Sequence, residues 1–279
     1  MKPNNIKILK NIIKYALLED MPSGDTTTDL IVDNNEKATA FIVSKERGIL
    51  CGIKLAILVF LNLDSKLKIK TKLKDGNIIK KNQIILSISG NKKSILKAER
   101  TALNFLGFAT GIATKTNKLA KKIIRFKSKV CCTRKTIPNL RNLQKYAVIV
   151  GGGINNRMSL SDEILVKDNH LANSNDIKLL INNIIQKNKS KKAITVEVDN
   201  LNQLQLIKDL KINRVLFDNM TPAQIKAGIK LLPKKIETEA SGNIREHNII
   251  NYAKTGVQRI SMGVLTHSIS NFDFSLDIK

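Results

Sequence analysis

Six charged residues between positions 134 and 218 have the types needed for chemistry on an anion: Arg134, Lys135, Arg157, Lys167, Glu197 and Asp218. Arginine presents a planar fork that grips carboxylate or phosphate in two places, and lysine acts as a point charge. Four converging cations repel one another unless a multiply charged anion sits among them, so the set predicts a substrate rich in carboxylates or phosphates. Glu197 and Asp218 are the donors a hard cation such as Mg²⁺ takes, completed by water. Downstream, Ser241-Gly242-Asn243 and Met262-Gly263-Val264 expose small residues and backbone N–H groups suited to a phosphate. The run Gly151 to Gly153 is less specific. Taken one at a time, each charge reads as a solvated loop residue or a salt-bridge partner. It is their placement along the chain that argues for a site.

That placement depends on the elements. From residue 110 onward, apolar strand-like segments alternate with helical ones, the pattern of parallel β/α units. Candidate strands are Val130 to Thr133, Ala147 to Val150, Ile164 to Lys167, Ile194 to Val198, Arg214 to Phe217, Glu237 to Ala240 and Gln258 to Met262. Helical stretches read at Asp176 to Gln186, Leu201 to Leu210, Pro222 to Leu232 and Arg245 to Ala253. Seven strands without a dinucleotide-type glycine pattern fit a β/α barrel, in which active sites lie at the carboxyl ends of the strands. Those ends would carry Thr133-Arg134-Lys135-Thr136, the Gly151 to Arg157 loop, Lys167, Glu197, Asp218, Ser241-Gly242 and Met262-Gly263.

The preceding part reads as a smaller α+β domain. An amphipathic helix over Met1 to Leu18 leads into short strands at Ala38 to Ser44, Gly48 to Cys51, Leu67 to Leu73 and Ile84 to Ile88, with a turn at Asp75-Gly76. A long helix is expected from Ser94 toward Ile124, bent or divided at Gly107 and Gly111. The fold expected is therefore α/β, a seven-stranded β/α barrel over 111–265 preceded by an N-terminal α+β domain over 1–110. The tail 266–279 is expected to return to the N-terminal domain.

Composition narrows the function. Net charge is +25, but the lysines are spread along the chain beside abundant Asn and Ile, and aromatics are only 4% with no Trp. No stacking platform for bases follows, so specific nucleic-acid binding is not expected, only salt-sensitive adherence to polyanions. No apolar run approaches the roughly 18 residues of a membrane span, and the N-terminus lacks a presequence's features; a cytoplasmic enzyme is expected. Cys51, Cys131 and Cys132 are odd in number and lack Cys-x-x-Cys spacing, so they read as packing residues.

The motifs themselves resemble one family. Glu19-Asp20 with Gly24-Asp25-Thr26-Thr27, Glu99 to Asn104, Thr133 to Thr136, the Gly151 to Arg157 loop and Lys167-Asp168-Asn169-His170 come in that order. Val196-Glu197-Val198, Leu216 to Met220, Glu239-Ala240-Ser241-Gly242 and Leu265-Thr266-His267-Ser268 follow. Together they resemble the quinolinate phosphoribosyltransferases over nearly the whole chain. The resemblance implies phosphoribosyl transfer from phosphoribosyl pyrophosphate to quinolinate with decarboxylation, using Mg²⁺. It also implies that the seven-stranded β/α barrel is incomplete, with the N-terminal α+β domain packed on it, and a homodimer in which Arg100 reaches the partner's site. By that analogy Arg100, Arg134, Arg157 and Lys167 hold the two carboxylates and Lys135 serves the diphosphate side. Glu197 and Asp218 face Mg²⁺ and ribose, and Ser241, Gly242 and Gly263 take the 5′-phosphate. Thr133, Asn156, Asn243 and Met262 complete the substrate-binding set, and Lys135, Lys167, Glu197 and Asp218 the catalytic one.

The sequence departs from the family pattern at two positions. Asn156 stands where His is usual, and keeps a hydrogen-bond donor but no charge. Asn243 stands where a second Gly is usual, a milder change because Asn tolerates left-handed backbone. Three rival readings are a related transferase of the molybdenum-operon group acting on another acceptor, a Schiff-base aldolase using Lys167, and a basic polyanion binder.

Overall fold

A computed structural model describes residues 3–171 and 176–279; Met1 and Lys2 of the expected first helix lie outside the described residues. The chain forms two compact units. One contains the chain up to Lys115 together with Pro138–Gly151 and Ile269–Lys279; the other contains Thr116–Ile137 and Gly152–Ser268.

The first unit opens with α1 (Pro3–Asp20) and α2 (Thr26–Ile31), the latter capped by Asp25, whose carboxylate accepts the Thr28 N–H at 3.1 Å. There follow β1 (Lys37–Ser44), β2 (Gly48–Ile49), α3 (Ile53–Leu63), β3 (Lys68–Lys70), β4 (Ile78–Ile79) and β5 (Ile84–Asn91). β3, β5 and β1 pair antiparallel, and the C-terminal strand Phe274–Ile278 adds to the free edge of β1. Leu55, Ala56, Val59 and Phe60 fall on one helical face of α3 and are buried. Asp75, in the expected turn, accepts the N–H groups of Gly52 and Ile53 at 3.0 and 3.1 Å and so caps α3.

The long helix α4 (Lys92–Lys122) is a single element, not divided at its glycines. Gly107 and Gly111 have another purpose. A Cβ on them would lie 2.5 Å from the Phe272 carbonyl and 2.1 Å from that of Ser270, so their absence admits the returning C-terminal backbone. The Phe272 N–H donates to the Gly107 carbonyl at 3.0 Å.

The second unit is built on a parallel sheet. In chain order the next elements are β6 (Lys129–Cys131), α5 (Arg141–Val150, in the first unit), β7 (Ile164–Val166), α6 (Asp168–Leu171), α7 (Ile177–Lys187) and β8 (Ile194–Val198). Then come α8 (Leu201–Ile207), β9 (Arg214–Asp218), α9 (Pro222–Leu231), β10 (Glu237–Ser241), α10 (Ile249–Ala253) and β11 (Arg259–Ser261). The sheet has six strands in the order β6-β11-β10-β9-β8-β7, every pair parallel.

Two expectations are corrected here. Ala147 to Val150 is not a strand but the last turn of α5, because Leu143, Ala147 and Val148 make a buried helical stripe. Among the described residues the sheet therefore has no seventh strand, and the following segment supplies only a bridge between Ile154 and Cys131. The expected helix from Arg245 begins at Ile249, so no helix N-terminus sits directly after Ser241-Gly242.

Strand side chains alternate between faces, and this alternation decides what becomes a site. Val196, Val215, Phe217, Ala240 and Ile260 are buried on one face, where the Phe217 ring lies beside Gly228 of α9. Glu197, Arg214, Leu216, Asp218, Glu237, Glu239, Ser241, Arg259 and Ser261 share the other by parity along the paired strands. At the strands' beginnings Arg214 lies 2.8 Å from Glu237, 3.4 Å from Glu163 and 3.5 Å from Glu239, while Arg259 reaches Glu237 at 2.7 Å. Burial works against ionising Glu237, yet its hydrogen bonds from Arg259 and Arg214 hold it below the usual carboxylate range. A buried guanidinium unpaired costs several kcal/mol, which this carboxylate cluster offsets.

Candidate active site

At the carboxyl ends of the strands the inward face opens into two adjoining lobes. A cavity of about 350 Å³ is lined by Arg134, Asn156, Arg157, Lys167, Glu197 and Glu239 among others. A second, about 220 Å³, is lined by Asn219, Gly242, Asn243, Met262, Gly263 and His267. Thr133, Lys135, Asp218, Ser241 and Ser261 line both, so the lobes meet along those residues.

The first lobe is cationic. Arg134 follows β6, half-buried, and its buried Nε has no hydrogen-bond partner among the described residues. Arg157 is held by a 3.3 Å hydrogen bond to the Glu163 carbonyl. Burial, and then the charge of Arg134, make the Arg157 guanidinium less basic than usual. Two guanidiniums that disfavour each other and open on one cavity are poised for an anion with two acidic groups. Lys167, at the end of β7, places its ammonium 3.0 Å from Glu197 Oε2.

Glu197 is the pivot between charges. Burial raises its pKa and the nearby Asp218 and Asp168 add to the rise, against the pull of Lys167. Asp218, one strand over, accepts a 2.8 Å hydrogen bond from Asn219 Nδ2. Among the described residues no group of three or more His, Cys, Asp or Glu is arranged to hold a metal ion.

The second lobe is a backbone cradle. Asn219, Gly242 and Asn243 have φ of 52°, 93° and 52°, in or near the left-handed region. The Asn219 N–H donates to the Ser241 carbonyl at 2.9 Å, and Asn243 Nδ2 donates to Asn219 Oδ1 at 3.2 Å. The Asn243 side chain thus ties the turn after β10 to the turn after β9. Lys135 is held over this lobe: its N–H donates to Thr133 Oγ1 at 3.1 Å and its carbonyl accepts from Thr266 Oγ1 at 2.7 Å. A Cβ at Gly263 would meet the His267 ring at 2.8 Å and Lys135 Cδ at 3.3 Å, so glycine is what lets both side chains close down there.

Thirteen of the fourteen candidate residues therefore line the two lobes. The other, Arg100, belongs to the first unit, where it is exposed and lines a recess with Asp20, Gly24, Asp25, Thr26 and Thr27. Sequence reasoning passed over Glu239, Ser261, Asn219 and His267 as site residues. A signal for Glu239 and Ser261 existed: acidic Glu237 and Glu239 alternate within β10, and polar groups at every second position mark an inward polar face.

A parallel α/β unit whose strand ends open on a cationic lobe joined to a glycine-bearing backbone cradle defines a class of enzyme suited to phosphorylated and carboxylated small molecules. Two family models refine that class: quinolinate phosphoribosyl transferase, N-terminal domain, matches residues 25–110, and the C-terminal domain of the same enzyme matches 112–277. The chain belongs to the quinolinate phosphoribosyltransferase family. A probable nicotinate-nucleotide pyrophosphorylase (carboxylating) of Methanocaldococcus jannaschii is 39% identical, covering 100% of this chain and 98% of its own. A counterpart from Bacillus subtilis is 36% identical over 97% and 93%. The solved nicotinate-nucleotide pyrophosphorylase from Francisella tularensis superposes with a TM-score of 0.94 at 38% identity, over 100% of this chain and 98% of that one.

Proposed function

We propose that the chain transfers the phosphoribosyl group of phosphoribosyl pyrophosphate to the ring nitrogen of quinolinate and decarboxylates the adduct, giving nicotinate mononucleotide, diphosphate and CO₂ in NAD biosynthesis. The observation that carries this reading is the junction of the two lobes at Lys135, Asp218 and Ser241. A dicarboxylate in the cationic lobe and a 5′-phosphate in the cradle bring the acceptor nitrogen and the sugar C1 together at that junction.

Arg134, Arg157 and Lys167 bind and orient the acceptor carboxylates, while the N–H groups around Ser241, Gly242 and Gly263 hold the 5′-phosphate. The C1–diphosphate bond breaks with its electron pair leaving on diphosphate, and positive charge develops on the sugar. To Glu197 and Asp218 we assign the support of that charge, and to Lys135 the departing anion. The ring nitrogen then bonds to C1 and becomes cationic, so the electrons released when CO₂ departs from the neighbouring carbon are stabilised there until a proton replaces it.

Glu197 and Asp218 are also the pair we assign to Mg²⁺. Two neighbouring carboxylates, one of which feels the other's charge, suit an ion bound by one or two carboxylates plus substrate oxygens and water rather than an all-protein cage. When bound, the ion supplies neutralisation of the diphosphate charge. We further read the six-stranded sheet with its Ile154 bridge as an incomplete barrel, and the enzyme as a cytoplasmic homodimer in which Arg100 serves the partner's site. Among the described residues no helix is long and apolar enough to cross a membrane.

The test is purified protein with quinolinate, phosphoribosyl pyrophosphate and Mg²⁺, assayed for nicotinate mononucleotide and CO₂. Absence of both products refutes the reading, and diphosphate release with a different acceptor only would replace it by the related transferase. Omitting Mg²⁺ should abolish turnover. Mixing Arg100→Ala with Lys167→Ala subunits should restore part of the lost activity; no recovery, with mixed dimers demonstrated, excludes a shared site.

A further inference from the structure

Glu239 is fully buried yet forms part of the wall of the cationic lobe. Its Oε1 accepts two hydrogen bonds, from Asn156 Nδ2 at 2.8 Å and from Ser261 Oγ at 2.5 Å. Its Oε2 makes no hydrogen bond among the described residues and lies 3.5 Å from the Arg214 guanidinium. Asn156, so held, accepts the Arg157 N–H on its own Oδ1 at 2.9 Å. A continuous chain of contacts therefore runs from β11 through Glu239 of β10 to the backbone of an anion-gripping arginine.

We propose that Glu239 is a positioning residue for the acceptor: by fixing the Asn156 amide it sets the placement of Arg157. The two ends of an amide are nearly equal in size, so only its partners decide which way it points. Glu239 Oε1, an acceptor whether the group is ionised or protonated, selects the Nδ2 end and leaves Oδ1 for the Arg157 N–H. The need for such a tie follows from the fold. Beyond the Ile154 bridge this segment has no strand ladder to register it. Arg157 also faces the repulsion of Arg134 whenever the anion is absent. Burial, the largest influence on Glu239, is countered only in part by the Ser261 hydrogen bond and the Arg214 charge, so removing the carboxylate disturbs a set of groups that depend on one another.

The inference rests on the proposed function, and the assay separates the two. KM for quinolinate and for phosphoribosyl pyrophosphate is measured for the wild type, Glu239→Ala, Glu239→Gln, Asn156→Ala and the Glu239→Ala/Asn156→Ala double variant. Glu239→Ala is expected to raise the quinolinate KM on the order of tenfold, the loss of about one well-made hydrogen bond's worth of placement. The KM for the phosphoribosyl donor should stay within about twofold. Glu239→Gln, which keeps an accepting Oε1, is expected to restore most of the acceptor KM, and Asn156→Ala added to Glu239→Ala should cost nothing further, because the pair acts as a unit. Equal rises in both KM values, an unchanged acceptor KM, multiplying costs in the double variant, or no rescue by Gln each overturn the proposal. If Glu239→Ala does not fold, Asn156→Ala decides: an acceptor-only rise supports it and an unchanged acceptor KM overturns it. A wild type inactive on quinolinate overturns the proposed function and this inference with it, whereas an active wild type with unaltered variants overturns this inference alone.

Discussion

Gly242→Ala is the substitution from which the cradle has most to lose. Gly242 has φ of 93°, and a Cβ placed there would stand 2.2 Å from Asn219 Oδ1, 2.6 Å from its Cγ and 2.7 Å from its backbone nitrogen. Backbone strain for an alanine in this region costs about 1–2 kcal/mol. Relief of the clash requires Asn219 to move, yet Asn219 holds Asp218 at 2.8 Å, accepts from Asn243 at 3.2 Å and donates its own N–H to Ser241. Losing two of those three hydrogen bonds adds about 1 kcal/mol each. The sum, roughly 3–4 kcal/mol, exceeds what a surface loop change costs. Because the strained atoms are the cradle itself, the kinetic effect should fall on one substrate. KM for phosphoribosyl pyrophosphate is expected to rise by at least about tenfold, equivalent to about 1.4 kcal/mol, with the quinolinate KM changed far less. Steady-state kinetics with each substrate varied in turn, beside a thermal melt, reads both effects. A variant with the wild-type donor KM and an unshifted melt would refute the reasoning, because neither the strain nor the clash would then be real.

Three further outcomes are expected. Lys167→Met removes the cation 3.0 Å from Glu197, whose pKa burial already raises; Glu197 should then hold its proton to still higher pH. The acid limb of the pH–rate profile, read at saturating quinolinate to offset the weaker binding, should shift to higher pH; an unshifted limb argues against Glu197 as the group that must be ionised. Hydrogen bonds from Lys122 at 2.7 Å and Lys118 at 2.9 Å draw the pKa of Glu246 down to about 2. A depressed carboxylate contributes stability above its ordinary pKa, and loses it as the pH falls toward 2. Since the group is largely exposed, Glu246→Gln should cost no more than about 0.5–1 kcal/mol at neutral pH, less in high salt and nothing near pH 2, as followed by denaturant titration. The net charge of +25 should give binding to double-stranded DNA that falls steeply between about 50 and 200 mM salt and shows no sequence preference. Retention of tight, sequence-dependent binding at the higher salt would favour a nucleic-acid role.

Asn156 and Asn243 are the two positions at which a departure from the family pattern is expected from sequence. Both asparagines are hydrogen-bonded within the site, one to Glu239 and the other to Asn219. The neutral amide at 156 meets a buried carboxyl group, and that partner accepts its donor without requiring a charge.

The amino-acid sequence by itself made thirteen of the lobe-lining residues legible, together with the beat of the elements that carry them. Arg134, Lys167, Glu197, Asp218 and Gly263 could be read at strand ends because period-two strands and period-3.6 helices leave distinct apolar patterns. It did not determine the nature of Ala147 to Val150, since four short apolar residues satisfy a strand and a helical turn equally; only the burial of Leu143, Ala147 and Val148 together selects the helix. Nor did it explain Gly107 and Gly111, whose role appears only when the chain returns 165 and 159 residues later to lay the Phe272 and Ser270 carbonyls against them. Glu239 is the clearest case. Its type and its place within β10 were visible, but its partners Asn156 and Ser261 lie 83 and 22 positions away. A hydrogen bond across such distances is set by the pairing order of the strands, and that order is a property of the packed sheet rather than of any local stretch of chain.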